Sequence, residues 1–283
     1  MKLGMTFEGG ANRAIFSCGV IDAFLEEGLM PDYFIGVSAG IAYGVSYLSR
    51  QAGRNWEITQ KYIRDKRYMG MHHLFNKEKK SYFNVDFVFS EIPDKLVPFD
   101  YEAFADYPGE VTAAVTNIHS GKAEYLQVPR GREMNQYLVA SCSLPVMFQP
   151  VKIGRHYYLD GAIADPIPFE QPMKAGCDKN IVVLTRSRDY IKPAAHMMGV
   201  AGALYKHYPR LVETLEGRTQ YYNESIEKIH ALEQEEKLFV IAPDQTFGVG
   251  RVESDLQKLR RLYDEGYRIA KEQMPQIRAY LEK

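Results

Sequence analysis

The chain has 283 residues, 46% of them hydrophobic and 25% charged, with a formal net charge of −1. That balance excludes disordered and fibrous classes and leaves no global field to attract nucleic acid, while the length suits a single large α/β domain. Three cysteines, Cys18, Cys142 and Cys177, cannot close a disulfide framework and fit a reducing cytoplasm, and no apolar run is long enough for a signal peptide or a membrane span.

In chain order, residues 3–7 read as a short apolar strand, and 11–27 as a helix with Ile15, Cys18, Ile21 and Leu25 on one stripe and Gly28 at its end. Residues 33–35 read as a buried strand, and 39–52 as a helix closed by Gly53. Segments 111–118 and 123–128 read as strands around a Ser120-Gly121 turn, and Gly154-Arg155 marks a second hairpin before Tyr157-Tyr158-Leu159. Residues 181–185 are a buried strand by their apolar run. Leu204, Leu211, Leu215, Tyr222, Ile226 and Ile229 then fall near helical spacing, 238–241 reads as a last strand, and a C-terminal helix carries Leu256, Leu259, Leu262, Tyr263 and Ala270 until Pro275 interrupts or ends it.

Alternating strands and helices predict a three-layer α/β/α sandwich around a mostly parallel sheet, with a helical C-terminal third. The expected organisation is one domain over 1–283, with its core in 1–190 and 237–245 and helical additions at 50–100, 195–236 and 252–283.

Two glycine-rich turns carry the chemistry. Gly36-Val37-Ser38-Ala39-Gly40 has the form of a nucleophile elbow, where glycine two places either side of a serine permits a sharp strand-to-helix reversal and exposes the hydroxyl at a helix N-terminus. After the first strand, the backbone N–H groups of Gly9, Gly10 and Ala11 fall at or before a helix start, unpaired and positively polarised, and suit an oxyanion. Neither dinucleotide-binding nor Walker spacing is met there.

The base for the serine is less direct. In α/β-hydrolases the elbow follows several strands, whereas only 37 residues precede Ser38. His196, His207 and His230 come late enough for the histidine of a Ser-His-Asp esterase but read as helix-surface residues. His72 and His73 are adjacent, so on a helix they point to different faces, and no metal site is expected.

This combination resembles the patatin-like phospholipase family, serine lipid hydrolases with a Ser-Asp dyad and no histidine. Gly9-Gly10-Ala11-Asn12-Arg13 resembles the family's oxyanion loop, and Gly36 to Gly40 its elbow. Ala140-Ser141-Cys142-Ser143-Leu144-Pro145 resembles its Ala-Ser-x-Ala/Ser-x-Pro block, and Asp160-Gly161-Ala162 its Asp-Gly-Gly/Ala motif. The resemblance implies Ser38 as nucleophile, Asp160 as base and no cofactor, with an acyl-serine intermediate and a phospholipid or lysophospholipid substrate. Ala11 and Ala14 replace family glycines, and alanine disfavours positive φ. They keep open a catalytically weak lipid-binding or regulatory protein beside the hydrolase and the Ser-His-Asp esterase.

Without the resemblance, Asp160-Gly161 reads as an ordinary turn, and Asp165 before Pro166 is a rival carboxylate that suits a turn or cap. Arg13 is expected to support the loop through an ion pair, with approach to a phosphate as the alternative. Residues 50–80 interleave Arg50, Arg54, Lys61, Arg64, Lys66, Arg67, Lys77, Lys79 and Lys80 with Trp56, Tyr62, Tyr68, Met69, Met71 and Phe75. Such a segment is expected either to rest on an anionic membrane, placing the protein at the inner face, or to be a solvated face.

Overall fold

Strand β1 (Leu3–Phe7) is buried at every position because it runs through the middle of a sheet covered on both faces. The computed structural model describes residues 1–75, 80–193 and 202–283. Within them the sheet continues with β2 (Tyr33–Val37), β3 (Glu110–Asn117), β4 (Ala123–Gln127), β5 (Val151–Ile153), β6 (His156–Asp160), β7 (Lys179–Val183) and β8 (Phe239–Ile241). Their order is β5-β6-β3-β2-β1-β7-β8, with β4 also on β3. The central pairs β3-β2-β1-β7-β8 are parallel, and the hairpin strands β4, β5 and β6 are antiparallel.

One feature of register positions the site. Ala114 of β3 faces Val37 of β2 on one side and Tyr125 of β4 on the other, while Val115 faces Asp160 of β6 and Glu124 of β4. Strands β2 and β6 therefore share one edge of β3 end to end. The residue after Val37 is brought beside Asp160, although 122 positions separate Ser38 from it in the sequence.

Helices α1 (Ile15–Glu26) and α2 (Ala39–Leu48) cover one face, with α8 (Leu256–Glu282) across α1. Met5, Phe7, Phe34 and Val183 pack beneath them in the largest core cluster. On the other face, Val182, Leu184 and Val240 meet Tyr222, Ile226 and Ile229 of α7 (Pro209–Gln234). The sheet thus has helices on both sides, as the alternation predicted. Helices α1 and α8 cross with backbones almost touching: a Cβ at Gly19 would lie 2.0 Å from Tyr263 O, and one at Gly266 2.0 Å from Phe16 O.

Several local expectations change. The first helix opens as a tight 3-10 turn, Ala11–Ala14, before α1. The helix expected over 39–52 stops at Leu48, because the chain turns at Arg50 (φ 57) and Gly53 (φ 73), and Gly53 begins α3 (Arg54–Tyr62). Pro275 does not end α8, since buried Met274, Ile277 and Tyr280 hold the helix on both sides of it. Leu204 is exposed rather than part of the stripe. The His72 and His73 rings do not diverge: they lie 3.9 Å apart, because their segment Met71–Phe75 is a 3-10 turn. His196, Lys77, Glu78 and Lys79 lie outside the described residues.

Residues 50–80 are not one continuous solvated face. Arg54 is buried and donates to Ser46 Oγ at 3.0 Å and Val97 O at 2.9 Å, and Tyr68 is buried with it. Arg67 pairs with Asp65 at 2.8 Å, and Lys61 with Glu57 at 2.6 Å. Met71 and Phe75 are the large apolar side chains of this stretch left in solvent.

Candidate active site

The elbow is held by contacts that explain its glycines. A Cβ at Gly36 would lie 2.4 Å from Ile41 N, and one at Gly40 would lie 2.4 Å from Phe7 O, so only glycine lets the turn close and α2 sit against β1. Ser38 adopts φ 55 and ψ −126 at the N-cap of α2, a region that costs a non-glycine residue about 1–3 kcal/mol. Its N–H donates to Ser141 Oγ at 2.9 Å, and the Ser141 hydroxyl donates in turn to Ala114 O at 2.7 Å.

The first glycine turn lies against this elbow. A Cβ at Gly9 would come 2.8 Å from Ser38 Cβ and 2.8 Å from Val37 O. Thr185, two residues beyond β7, fixes the turn: its N–H donates to Glu8 Oε2 at 2.6 Å, and its hydroxyl donates to Gly9 O at 2.8 Å. The N–H groups of Gly9, Gly10 and Ala11 find no acceptor among the described residues. Ala39 N–H, directly after the serine, is in the same position and is a donor the sequence analysis did not name. Ala11 has φ 49, so the alanine occupies the left-handed conformation that glycine prefers.

Asp160 ends β6 at the same point. Its Oδ1 accepts from Ala162 N at 2.8 Å, its own N–H donates to Ser143 O at 2.9 Å, and Oδ2 is buried with no hydrogen-bond partner among the described residues. Burial pushes its carboxyl above the usual carboxylate range, while Ala162 N–H, the Arg218 charge and the Ser38 hydroxyl pull it down. Strand pairing through β3 brings the Ser38 turn and Asp160 to the same end of the sheet. The Ala140 to Pro145 segment, seen in the sequence without a role, touches both residues, Ser141 through Ser38 N–H and Ser143 through Asp160 N–H.

The rival Asp165 is held by Tyr125, whose hydroxyl donates to it at 2.6 Å. No histidine among the described residues lines a cavity at Ser38, and His207 is exposed on a turn. Arg13 is buried, with Nε unpartnered and no ion pair within 4.0 Å among the described residues, so the expected pair is not formed. Burial lowers its pKa to about 10, with the Arg186 charge acting in the same direction and Glu8 opposing.

Two cavities meet at Ser38. The larger holds about 1110 Å³ of empty space, solvent at its mouth included, between α2, α3, α5 (Met134–Cys142) and the wide helix Phe87–Leu96. Val97 N–H donates five residues back to Ile92 O at 2.9 Å, and such wide turns are frequent at functional sites. Tyr43, Ile58, Phe83, Phe89, Leu138 and Phe148 make this cavity apolar. The second, of about 560 Å³, is polar and contains Asp160. Ala11, Ser38, Leu144 and Arg251 line both.

Residues 5–173 match the family described as Patatin-like phospholipase, and residues 208–282 match a Domain of unknown function (DUF6363). The uncharacterized protein YjjU of Escherichia coli (strain K12) is 25% identical over 202 residues, covering 65% of this chain and 52% of that protein, so the chain spans about half of that relative's length. The crystal structure of VipD from Legionella pneumophila superposes with a TM-score of 0.47 at 13% identity, over 96% of this chain and 66% of that one.

Proposed function

Since the chain belongs to the patatin-like phospholipase family, we propose that it is a serine lipid acyl hydrolase that cleaves carboxylic esters of phospholipids or lysophospholipids through an acyl-serine intermediate. One observation carries this reading. At Ser38 a hydroxyl on strained backbone, a buried carboxylate oxygen and a set of backbone N–H groups, these last two without partners among the described residues, converge beside an apolar cavity. Unsatisfied groups of this kind are costly to bury, and an ester in its transition state would satisfy all of them at once.

In this mechanism Ser38 Oγ attacks the ester carbonyl while Asp160 accepts its proton. Gly9, Gly10, Ala11 and Ala39 N–H hold the oxyanion, and the proton passes to the departing alkoxide. Water then repeats the sequence on the acyl-serine. Aspartate is a weaker base than histidine, with a reference pKa of about 3.9 against 6.5. Its burial and the α2 N-terminus supply part of the difference. Met71 and Phe75 are exposed, and they follow Met69, which bridges Phe83 of the cavity lining. They would rest in a lipid surface. No helix of the described residues is long and apolar enough to cross a membrane.

The test is a fluorophosphonate probe together with turnover of a short-chain ester. Labelling at Ser38, lost in Ser38→Ala, is expected, with turnover abolished in Ser38→Ala and reduced at least about a hundredfold in Asp160→Asn. Near-normal turnover by either purified variant would refute the dyad.

A further inference from the structure

The polar cavity beside Ser38 has more positive charge than its surroundings neutralise. Arg13, Arg186, Lys192, Arg218 and Arg251 line it against two carboxylates, Glu8 and Asp160. None of the five makes an ion pair within 4.0 Å among the described residues; the guanidiniums of Arg186 and Arg218 are engaged with the Tyr190 ring and with Ala162 O, and the Lys192 ammonium lies over the Tyr222 ring. Glu8 is occupied by Thr185. Arg13 Nε is buried without a hydrogen-bond partner among the described residues, on a side chain more than nine-tenths buried. Gathering unpaired cations in a partly closed space is unfavourable unless an anion joins them.

Resting on the hydrolase reading, we propose that this cavity binds the phosphomonoester of a single-chain glycerophospholipid, so that the enzyme releases glycerol phosphate and a fatty acid. The two cavities share Ser38, which puts the acyl chain in the apolar one, the ester at the serine and the phosphate among the cations. Four of the five cations are arginines, whose planar forks match phosphate oxygens in pairs. A dianionic monoester uses this field fully. A choline phosphodiester brings one negative charge and a cation that the same field repels. Burial and the charges of Arg218 and Arg251 lower Lys192 to about 7, in keeping with uncompensated positive charge. The reaction balances as hydrolysis: the acyl–oxygen bond breaks, the alkoxide takes the serine proton, and water restores the serine. Arg218, Tyr222 and Arg251 fall within residues 208–282, which gives the matched domain of unknown function a role in reading the headgroup.

Two measurements test this. The first compares lysophosphatidate, lysophosphatidylcholine and monoacylglycerol of one acyl chain; kcat/KM is expected to be at least tenfold higher for lysophosphatidate. Arg186→Gln and, separately, Lys192→Gln should reduce that ratio about tenfold, mainly through KM. The second is calorimetric titration of the Ser38→Ala protein, which needs no turnover, with glycerol 3-phosphate and with inorganic phosphate. Glycerol 3-phosphate should bind more tightly and lose affinity in Ser38→Ala combined with Lys192→Gln. Equal turnover of the three lipids, absence of glycerol 3-phosphate binding, or tighter binding of inorganic phosphate would overturn the proposal. Binding as expected with no lipid turned over would instead overturn the hydrolase reading and leave the anion pocket standing.

Discussion

Ser141 holds Ser38 in its strained conformation: its hydroxyl accepts Ser38 N–H at 2.9 Å while donating to Ala114 O at 2.7 Å. One side chain thereby links the elbow to the strand that also pairs with Asp160. Ser141→Ala leaves a buried donor and acceptor unmatched. It should cost about 1–3 kcal/mol of stability and roughly 10- to 100-fold in kcat through misplacement of the nucleophile, read from denaturant unfolding and steady-state turnover.

Asp160→Asn should separate activity from stability. The amide retains an acceptor for Ala162 N–H and removes a carboxylate that burial disfavours. Turnover is expected to fall about 10²–10⁴-fold with loss of the base, while the melting temperature at pH 7 rises. A lower melting temperature would show that the Arg218 charge outweighs desolvation.

The same burial fixes the sign of the pH dependence. The Asp160 pKa is raised, by desolvation first, so the carboxylate loses its base function as pH falls through a value above the usual carboxylate range. The acid limb of kcat/KM should lie above about pH 4. For stability the folded state holds the proton more tightly than the unfolded one. The penalty is therefore absent below the unfolded pKa and complete above the folded pKa. The difference in unfolding free energy between the Asp160→Asn protein and the parent should shrink as pH is lowered through that window.

Ala11 has φ 49, where an L-residue costs about 1–2 kcal/mol. Ala11→Gly removes that strain and returns about 0.4–1 kcal/mol to the unfolded chain as entropy. A net gain of about 0.5–1 kcal/mol is expected, with kcat equal or higher. A loss of stability measured by urea unfolding would mean that the loop relaxes in solution.

At the crossing of α1 and α8, Gly19→Ala and Gly266→Ala each place a methyl 2.0 Å from a carbonyl oxygen of the other helix. The helices must separate. Each substitution should cost about 1–3 kcal/mol or more, visible as a lower melting temperature.

The elbow and the opening loop were legible in the sequence because each is a short glycine pattern between a strand and a helix, even though Gly9, Gly10 and Gly40 are confined by residues distant in the chain. Gly36 is required by Ile41 N within the same turn, whereas Gly40 is required by Phe7 O of β1, and strand and helix periodicities report burial residue by residue. Local pattern also misled: Pro275 and the stretch after Leu48 depend on what packs around them, and the charges of residues 50–80 looked like one surface although Arg54 is buried.

What the chain by itself determined is therefore a backbone able to present a strained serine at a helix start, together with the succession of strands and helices that carries it. Tertiary structure alone decided that β2 and β6 meet end to end on β3, which brings Asp160 to that serine. It also drew Arg186, Lys192, Arg218 and Arg251 from separate segments into one cavity with Arg13. The division is physical: a glycine pattern that permits a turn lies within a few neighbouring residues, whereas strand register and the convergence of distant charges are fixed by how the whole core closes.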